Sequence, residues 1–231
     1  MNNLLMLHGW GFPAAVFSPL IDSLPAGCHC QAPDRPGCRH EINQAADSQL
    51  PVLQAPTVLL GWSQGGQLAL QLALQQPGMV SAVVLLASTP CFISQGEWSA
   101  GMERSIFDAF RKQVEDDPSS AMSQFVRLNN GSRIDRDTRS LLSGLRGSVS
   151  PAALLDGLHD LETTDLRSEM NSIQAPVLLL HAADDLVVPV TAARWLAQAL
   201  PNAELVEYPV GGHAFFIQHA DDVVRRIGAL L

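Results

Sequence analysis

TVLLGWSQGG, residues 57–66, joins an apolar strand to a helix through a G-x-S-x-G motif. In that setting a sharp strand-to-helix turn holds the serine in strained backbone geometry and lifts its hydroxyl clear of the sheet. Gly61 and Gly65 keep the positions two before and two after Ser63 small, which avoids steric clashes. The N-terminus of the following helix favours developing negative charge. We therefore predict that Ser63 is a nucleophile.

A serine hydroxyl is a poor nucleophile unless a neighbouring base accepts its proton. The base is expected late in the chain, on a loop after the last strand. His213 fits, because it follows a predicted strand at residues 204–208 and the flexible residues 210–212. His219 is better interpreted as a surface or capping residue at the start of the last helix. His181 ends a predicted strand and is interpreted as structural.

The histidine needs an acid that fixes its tautomer and stabilises the imidazolium. Two neighbours compete in HAADDLVVP, residues 181–189. Serine hydrolases often carry H-G-x-x-D-x-x-x-P at this place, and aligning that pattern favours Asp185 over Asp184. The alanine at position 182, where glycine is usual, weakens the alignment, so Asp184 stays open. The carboxylate that is not used would be a solvent-exposed turn residue.

An oxyanion hole requires two backbone N–H groups. One comes from the residue after the nucleophile, Gln64, and the other from the loop after an early strand. The sequence HGWG, residues 8–11, supplies that loop, and Trp10 carries the expected N–H. The indole of Trp10 would also line the pocket.

The chain around these residues alternates short apolar strands with segments of helix length, which indicates βαβ units and a mostly parallel sheet. Strands are predicted at residues 4–7, 28–32, 57–60, 80–87, 177–181 and 204–208. Helices are predicted at residues 14–24, 67–76, 191–200 and 221–230. Residues 92–170 lack a convincing strand and show helical apolar spacing. We interpret them as a helical cap inserted into a single domain that spans residues 1–231.

Composition limits the classes of function. The net charge of −9 argues against nucleic acid as a general partner. The apolar runs are only a few residues long, whereas a membrane-spanning helix needs about 20. The first ten residues lack a basic region and a cleavage site, so they are predicted to form a strand rather than a signal peptide. We expect a cytoplasmic monomer without membrane contact.

Three of the four cysteines fall close together, which raises the alternative of a metal site. Cys28, Cys30 and Cys38 alternate with His29 and His40. Their spacing matches no standard zinc pattern. Cys28 and Cys30 would share one face of a short strand, and we expect reduced, partly buried thiols and no metal.

With these motifs in place, the chain resembles the α/β-hydrolase superfamily along nearly its whole length, in the order Ser63, Asp185, His213. Within it, GWS at residues 61–63, ASTPCF at 87–92, EW at 97–98 and TDLR at 164–167 resemble the pimeloyl-[acyl-carrier protein] methyl ester esterase family of biotin synthesis. The resemblance implies hydrolysis of a methyl ester on a pimeloyl chain held by acyl carrier protein, without a cofactor.

The resemblance also implies substrate contacts. In that family they come from the oxyanion-loop tryptophan, the nucleophile, the next residue, the histidine and a cap stretch that begins with phenylalanine. The matching residues are Trp10, Ser63, Gln64, Phe125, Val126, Arg127, Leu128, Asn129 and His213.

Charge is unevenly distributed along the chain. Residues 104–146 carry eight basic and six acidic side chains, whereas the rest carries six basic and seventeen acidic ones. From charge alone, an ordinary solvated helical face is the favoured explanation. In the family that the chain resembles, cap arginines hold the acidic carrier protein, and the matching candidates are Arg127, Arg133, Arg136 and Arg139.

Other functions remain open at the level of sequence. A general carboxylesterase, a lactonase or a haloperoxidase-like hydrolase would use the same three residues. A non-catalytic binding protein on this fold is disfavoured, because such proteins usually lose one of them. The chain begins almost at its first motif strand, so we also expect the sheet to lack an initial strand pair.

Overall fold

One parallel β-sheet forms the centre of the protein. The computed structural model describes residues 2–35, 51–132 and 135–231. Within them the strands are β1 (Asn2–Leu7), β2 (Cys28–Gln31), β3 (Thr57–Trp62), β4 (Val80–Leu86), β5 (Val177–Ala182) and β6 (Ala203–Tyr208). The sheet order is β2-β1-β3-β4-β5-β6, and every neighbouring pair is parallel. The α/β prediction with a parallel sheet is therefore confirmed.

Helices cover both faces of this sheet. They are α1 (Ser18–Ile21), α2 (Gln64–Gln75), α3 (Arg104–Asp116), α4 (Pro118–Leu128), α5 (Arg136–Leu145), α6 (Pro151–Thr163), α7 (Val190–Ala199), α8 (Phe215–Gln218) and α9 (Ala220–Gly228). Side chains alternate along a strand. Accordingly Leu4 and Met6 belong to the hydrophobic cluster that includes residues of α1, α8 and α9, whereas Leu5 and Leu7 join α2 and α7.

The chain leaves the sheet after β4 and returns at β5. Between them lie α3 to α6, which we call the helical insertion (residues 104–163). Three of its four helices begin at side-chain caps: Asp117, Asp135 and Ser150 each accept a hydrogen bond from a backbone N–H in the first turn. Each cap satisfies an N–H group that would otherwise be unpaired at the start of α4, α5 or α6.

Two helix boundaries differ from the sequence prediction. Residues 14–24 form a helical turn at Ala14–Phe17 and then the short α1, with Pro19 at its start. Proline lacks an N–H and restricts the residue before it, so a continuous helix is interrupted there. Helix α2 begins at Gln64 rather than at residue 67, directly after Ser63.

Candidate active site

Ser63 lies in the tight turn between β3 and α2. Its backbone has φ 55° and ψ −119°, a left-handed region that non-glycine residues rarely occupy. The turn brings Gly61 against the backbone of Gly65, and Gly65 against the carbonyl of Leu7, so a Cβ atom at either glycine would collide with main chain. The strained backbone and both glycines therefore belong to one structure that presents the serine side chain to a cavity.

His213 and Asp185 form a buried pair. His213 Nδ1 lies 2.8 Å from Asp185 Oδ2, and both side chains are fully buried. The Nε2 atom of His213 is buried and has no hydrogen-bond partner in the part of the chain that the structure describes. Trp62, next to Ser63, donates its indole N–H to the carbonyl of His213 at 2.9 Å. The histidine backbone is thereby anchored to the serine turn, with one ring nitrogen left available.

Asp185 receives hydrogen bonds on both oxygens. Its Oδ1 accepts the N–H groups of Val187 and Val188 at 2.8 and 3.0 Å. His181 Nε2 lies 3.2 Å from Oδ2 and 2.9 Å from the carbonyl of Val188. Burial alone would raise the pKa of Asp185, but the charge on His213 and the hydrogen bonds from both histidines hold it well below its usual range. Asp185 is thus held ionised beside His213.

Asp184 contacts different residues from its neighbour. It accepts hydrogen bonds from Ser132 N at 2.8 Å, from Ser132 Oγ at 2.5 Å and from Gly212 N at 2.8 Å. Burial opposes ionisation, yet these hydrogen bonds lower the pKa of Asp184. The expectation of a solvent-exposed turn carboxylate is wrong, because Asp184 is half-buried. Its hydrogen bonds link Ser132, which follows α4, to Gly212, which directly precedes His213.

Trp10 and Gln64 lie close to the serine, since Gln64 follows it in the chain and Trp10 lines the same cavity. In the described residues, neither backbone N–H donates a hydrogen bond to another backbone or side-chain group. Gln64 is the first residue of α2, where an N–H has no partner inside the helix. Both side chains instead reach α6: Trp10 Nε1 donates to the carbonyl of Leu154 at 2.8 Å, and Gln64 Nε2 donates to that of Gly157 at 2.7 Å. The two N–H groups remain available to an oxyanion.

A cavity of about 360 Å³ lies between Ser63 and the helical insertion. Its walls are mostly apolar, with a few uncharged polar side chains. They are formed by Trp10, Ser63, Phe92, Met102, Ser105, Ile106, Phe107, Ala109, Phe110, Gln113, Gln124, Phe125, Leu128, Leu158, Leu161 and Val187. Most of this surface comes from α3, α4 and α6, so the insertion shapes what can reach the serine.

The structure places only some of the predicted substrate residues on this cavity. Trp10, Ser63, Phe125 and Leu128 line it. Gln64 and His213 are buried beside the cavity and do not form its wall.

Val126, Arg127 and Asn129 also do not line the cavity. Five consecutive residues of a helix turn through more than one full circle, so they cannot all face one site. Phe125 and Leu128, three apart, share the cavity face. Arg127 is exposed, and Asn129 is buried with its carbonyl accepting the N–H of Ala214 at 3.1 Å.

Several wall residues were missed as site residues. Ile106, Phe107 and Phe110 showed helical apolar spacing in the sequence, which indicated a buried face but not what that face covers. The pairing of Trp10 with Phe110 and Phe125, with ring centroids 5.5 and 4.9 Å apart, places α3 and α4 over the oxyanion loop. The sequence signal for these wall residues was the pair of aromatic side chains on one face of α3, Phe107 and Phe110.

A family comparison agrees with this geometry. Residues 4–226 match the model of the "Alpha/beta hydrolase family". A pimeloyl-[acyl-carrier protein] methyl ester esterase from Nitrosomonas europaea is 37% identical, over 99% of this chain and 95% of that protein. The chain belongs to this esterase family of alpha/beta hydrolases. The same-named protein from Aromatoleum aromaticum is 35% identical, over 95% of this chain and 94% of its own.

Solved structures show the same alpha/beta hydrolase fold. An esterase from Exiguobacterium antarcticum superposes with a TM-score of 0.90 at 21% identity, covering 99% of this chain and 91% of that chain. An enol-lactonase from Burkholderia xenovorans gives a TM-score of 0.82 at 16% identity, covering 99% and 90%. At these identities the comparisons bear on the fold alone.

Two sets of arginines on the helical insertion differ in their partners. Arg104 and Arg111 on α3 both pair with Glu162 on α6, at 2.6 and 2.5 Å. By contrast, Arg127, Arg136 and Arg139 are exposed, and their guanidinium groups contact no carboxylate among the residues described. Arg133 lies outside the described residues. The exposed group thus comes from α4 and α5.

The cysteines near the N-terminus raised the alternative of a metal site. In residues 2–35, 51–132 and 135–231, no cluster of three or more histidine, cysteine or acidic side chains is placed to hold a metal. Cys28 and Cys30 are half-buried, and burial raises the pKa of Cys30 to about 11. Cys38 and His40 lie outside the described residues.

None of the described helices is long and apolar enough to cross a bilayer.

Proposed function

We propose that this protein is a serine carboxylesterase that hydrolyses the methyl ester of pimeloyl-[acyl-carrier protein] in biotin synthesis, giving pimeloyl-[acyl-carrier protein] and methanol. The observation that carries the proposal is the buried His213–Asp185 pair anchored to the Ser63 turn. Relatives with that activity in their name are 30–37% identical over nearly the whole chain. Ser63, His213 and Asp185 are the proposed catalytic residues.

In the first step, Ser63 Oγ attacks the ester carbonyl carbon while His213 Nε2 accepts the hydroxyl proton. Asp185 stabilises the imidazolium through the hydrogen bond at Nδ1. The negative charge on the former carbonyl oxygen is held by the N–H groups of Trp10 and Gln64. When the tetrahedral intermediate collapses, the C–O bond to methanol breaks, and His213 returns its proton to the departing oxygen.

In the second step, water hydrolyses the acyl-enzyme. His213 Nε2 takes a proton from the water as its oxygen attacks the acyl carbon. The bond to Ser63 Oγ then breaks, and His213 returns the proton to the serine. The product is a free carboxylic acid at the end of the pimeloyl chain. Neither step calls for a metal or an organic cofactor.

The cavity suits the acyl chain of this substrate. A methylene group gains about 0.8 kcal/mol when it moves from water to an apolar environment. The walls around Ser63 are aromatic and aliphatic, with no charged side chain among the described lining residues. A neutral methyl ester is therefore accepted more readily than the carboxylate that its hydrolysis produces.

The helical insertion is proposed to act as a cap that also meets the carrier protein. Arg127, Arg136 and Arg139 are exposed cations on α4 and α5. Arg133, which lies outside the described residues, stays a candidate from the sequence alone. A complementary charge on the partner would speed association and set its orientation. We further propose that the enzyme acts as a cytoplasmic monomer, as predicted from the sequence.

A general short-chain esterase or lactonase is the second candidate, because the apolar cavity would also admit small neutral esters. The two are separated by comparing kcat/KM for methyl pimeloyl-carrier protein with that for free methyl pimelate. We expect a clear preference for the carrier-bound ester. Equal efficiency on both would contradict the carrier-protein assignment and favour the general esterase.

A further inference from the structure

Both residues of the proposed oxyanion hole are attached to the same helix of the insertion. The Trp10 indole donates to the carbonyl of Leu154, and the Gln64 amide donates to that of Gly157. The two acceptors are three residues apart on α6, so they lie on one face of that helix. The donors come from different places, the loop after β1 and the first residue of α2. Helix α6 therefore bridges the two halves of the hole.

Gly157 permits this close approach. A Cβ atom at this position would lie 2.7 Å from Trp10 Cδ1, 3.2 Å from Trp10 Nε1 and 3.4 Å from Gln64 Oε1. A real Cβ atom would have to displace the indole or the helix. Glycine inside a helix costs roughly 1 kcal/mol relative to alanine. The contact between α6 and both side chains explains a glycine at this buried position.

The oxygen of the Gln64 side-chain amide is also hydrogen-bonded. Its Oε1 accepts a hydrogen bond from Arg35, and the same guanidinium pairs with Asp160 on α6 at 3.1 Å. Gln64 is buried, so both ends of its amide are engaged on the side of α6. The residue after the nucleophile is thus held by its side chain as well as by the helix that it begins.

We propose that α6 is a positioning element of the oxyanion hole, with Gly157 and the Gln64 side chain as positioning residues. The inference rests on the proposed function, because it concerns the two N–H groups that stabilise the oxyanion. Donors must lie within about 2.7–3.1 Å of that oxygen. A shift of α6 would move Trp10 and Gln64 together, so the position of the cap helix sets the strength of both donors.

The test compares two glycine-to-alanine substitutions in helices of the insertion. Gly157→Ala should lower kcat roughly 10–100-fold, since loss of a whole donor costs about 10²–10³. KM should change far less, because Gly157 itself does not line the cavity. Gly144→Ala in α5 is the matched control, since its Cβ would meet no atom within 4 Å. We expect this control to keep wild-type kcat.

A transition-state analogue separates positioning from general damage. A trifluoromethyl ketone forms a tetrahedral adduct on the serine, so its affinity should fall in proportion to kcat/KM in Gly157→Ala. Gln64→Met removes both side-chain hydrogen bonds but keeps the backbone N–H and similar volume. The double variant should lose less than the two single losses combined, because both changes disturb the packing of α6 against the oxyanion-hole residues.

Three results distinguish the positioning role of α6 from the proposed function. If a fluorophosphonate labels wild-type Ser63 and Gly157→Ala keeps wild-type kcat and analogue affinity, the positioning role of α6 is overturned while the proposed function stands. Additive losses in the double variant would also overturn it. Failure of the fluorophosphonate to label folded wild-type protein would contradict the proposed function and, with it, the inference.

Discussion

His213 Nδ1 lies 2.8 Å from Asp185 Oδ2, while the adjacent carboxylate of Asp184 accepts hydrogen bonds from Ser132 and Gly212 instead. Two consecutive aspartates therefore have different neighbours. One faces the histidine side chain, and the other holds the backbone on which that histidine is carried. The roles of the two aspartates can therefore be distinguished by making the same substitution at each position.

Asp185→Asn should lower kcat by roughly 10³–10⁴, because an amide stabilises the wrong tautomer of the histidine and cannot stabilise the imidazolium. Steady-state hydrolysis of a p-nitrophenyl ester measures the effect. Asp184→Asn is the matched control. It keeps the size of the side chain but loses charge, and should cost about 1–2 kcal/mol of stability with a much smaller loss of kcat. Equal losses of kcat in the two variants would contradict the assignment of Asp185.

His8 should make the folded protein sensitive to acid. Burial, opposed by a hydrogen bond to Gly9 and assisted by the charge of Arg35, lowers the pKa of His8 from 6.5 to about 4. Between these values the unfolded chain binds a proton that the folded chain does not, so stability falls as the pH falls through this window. The loss is about 3 kcal/mol below pH 4.

Denaturant unfolding at several pH values between 7 and 4 measures this contribution. His8→Gln should be less stable at pH 7, because the hydrogen bonds of the His8 ring with Gly9 O and Arg35 N are disturbed. Its stability should also depend less on pH. His29→Gln, an exposed histidine on β2, is the control and should follow the wild type. An unchanged pH dependence in His8→Gln would show that this residue is not the source.

The exposed arginines should matter only for the carrier-bound substrate. Arg127→Gln, Arg136→Gln and Arg139→Gln, combined, should lower kcat/KM for methyl pimeloyl-carrier protein about tenfold or more at low ionic strength, and less as salt is added. Activity on free methyl pimelate should be unchanged. Arg225→Gln, which removes one exposed cation from α9, is the control. Equal effects on both substrates would argue against a docking role.

The sequence predicted the elements of the sheet and the residues at its strand ends more fully than the cavity. Ser63, Asp185 and His213 follow β3, β5 and β6, and the carboxyl ends of parallel strands meet at one edge. Those positions can be inferred from short local patterns. Their proposed chemical roles remain predictions from the motifs and from the resemblance.

The residues that line the cavity could not be predicted in the same way. Which face of α3 or α4 meets the serine depends on how the insertion packs, and sequence periodicity shows only that a face is apolar. The family resemblance implied five consecutive substrate contacts at residues 125–129, but of these only Phe125 and Leu128 line the cavity. Likewise the hydrogen bonds of Asp184 join residues 52 and 28 positions apart, which no local pattern indicates.

The most direct test of the central claim is methanol release from methyl pimeloyl-carrier protein by wild-type enzyme and by Ser63→Ala. We predict rapid release by the wild type and a loss of about 10⁴–10⁶-fold in the variant, with an unchanged melting temperature. Removing one hydroxyl leaves the fold, the cavity and the arginines in place, so the loss would belong to the nucleophile. Comparable release by a folded Ser63→Ala variant would contradict the assignment of Ser63.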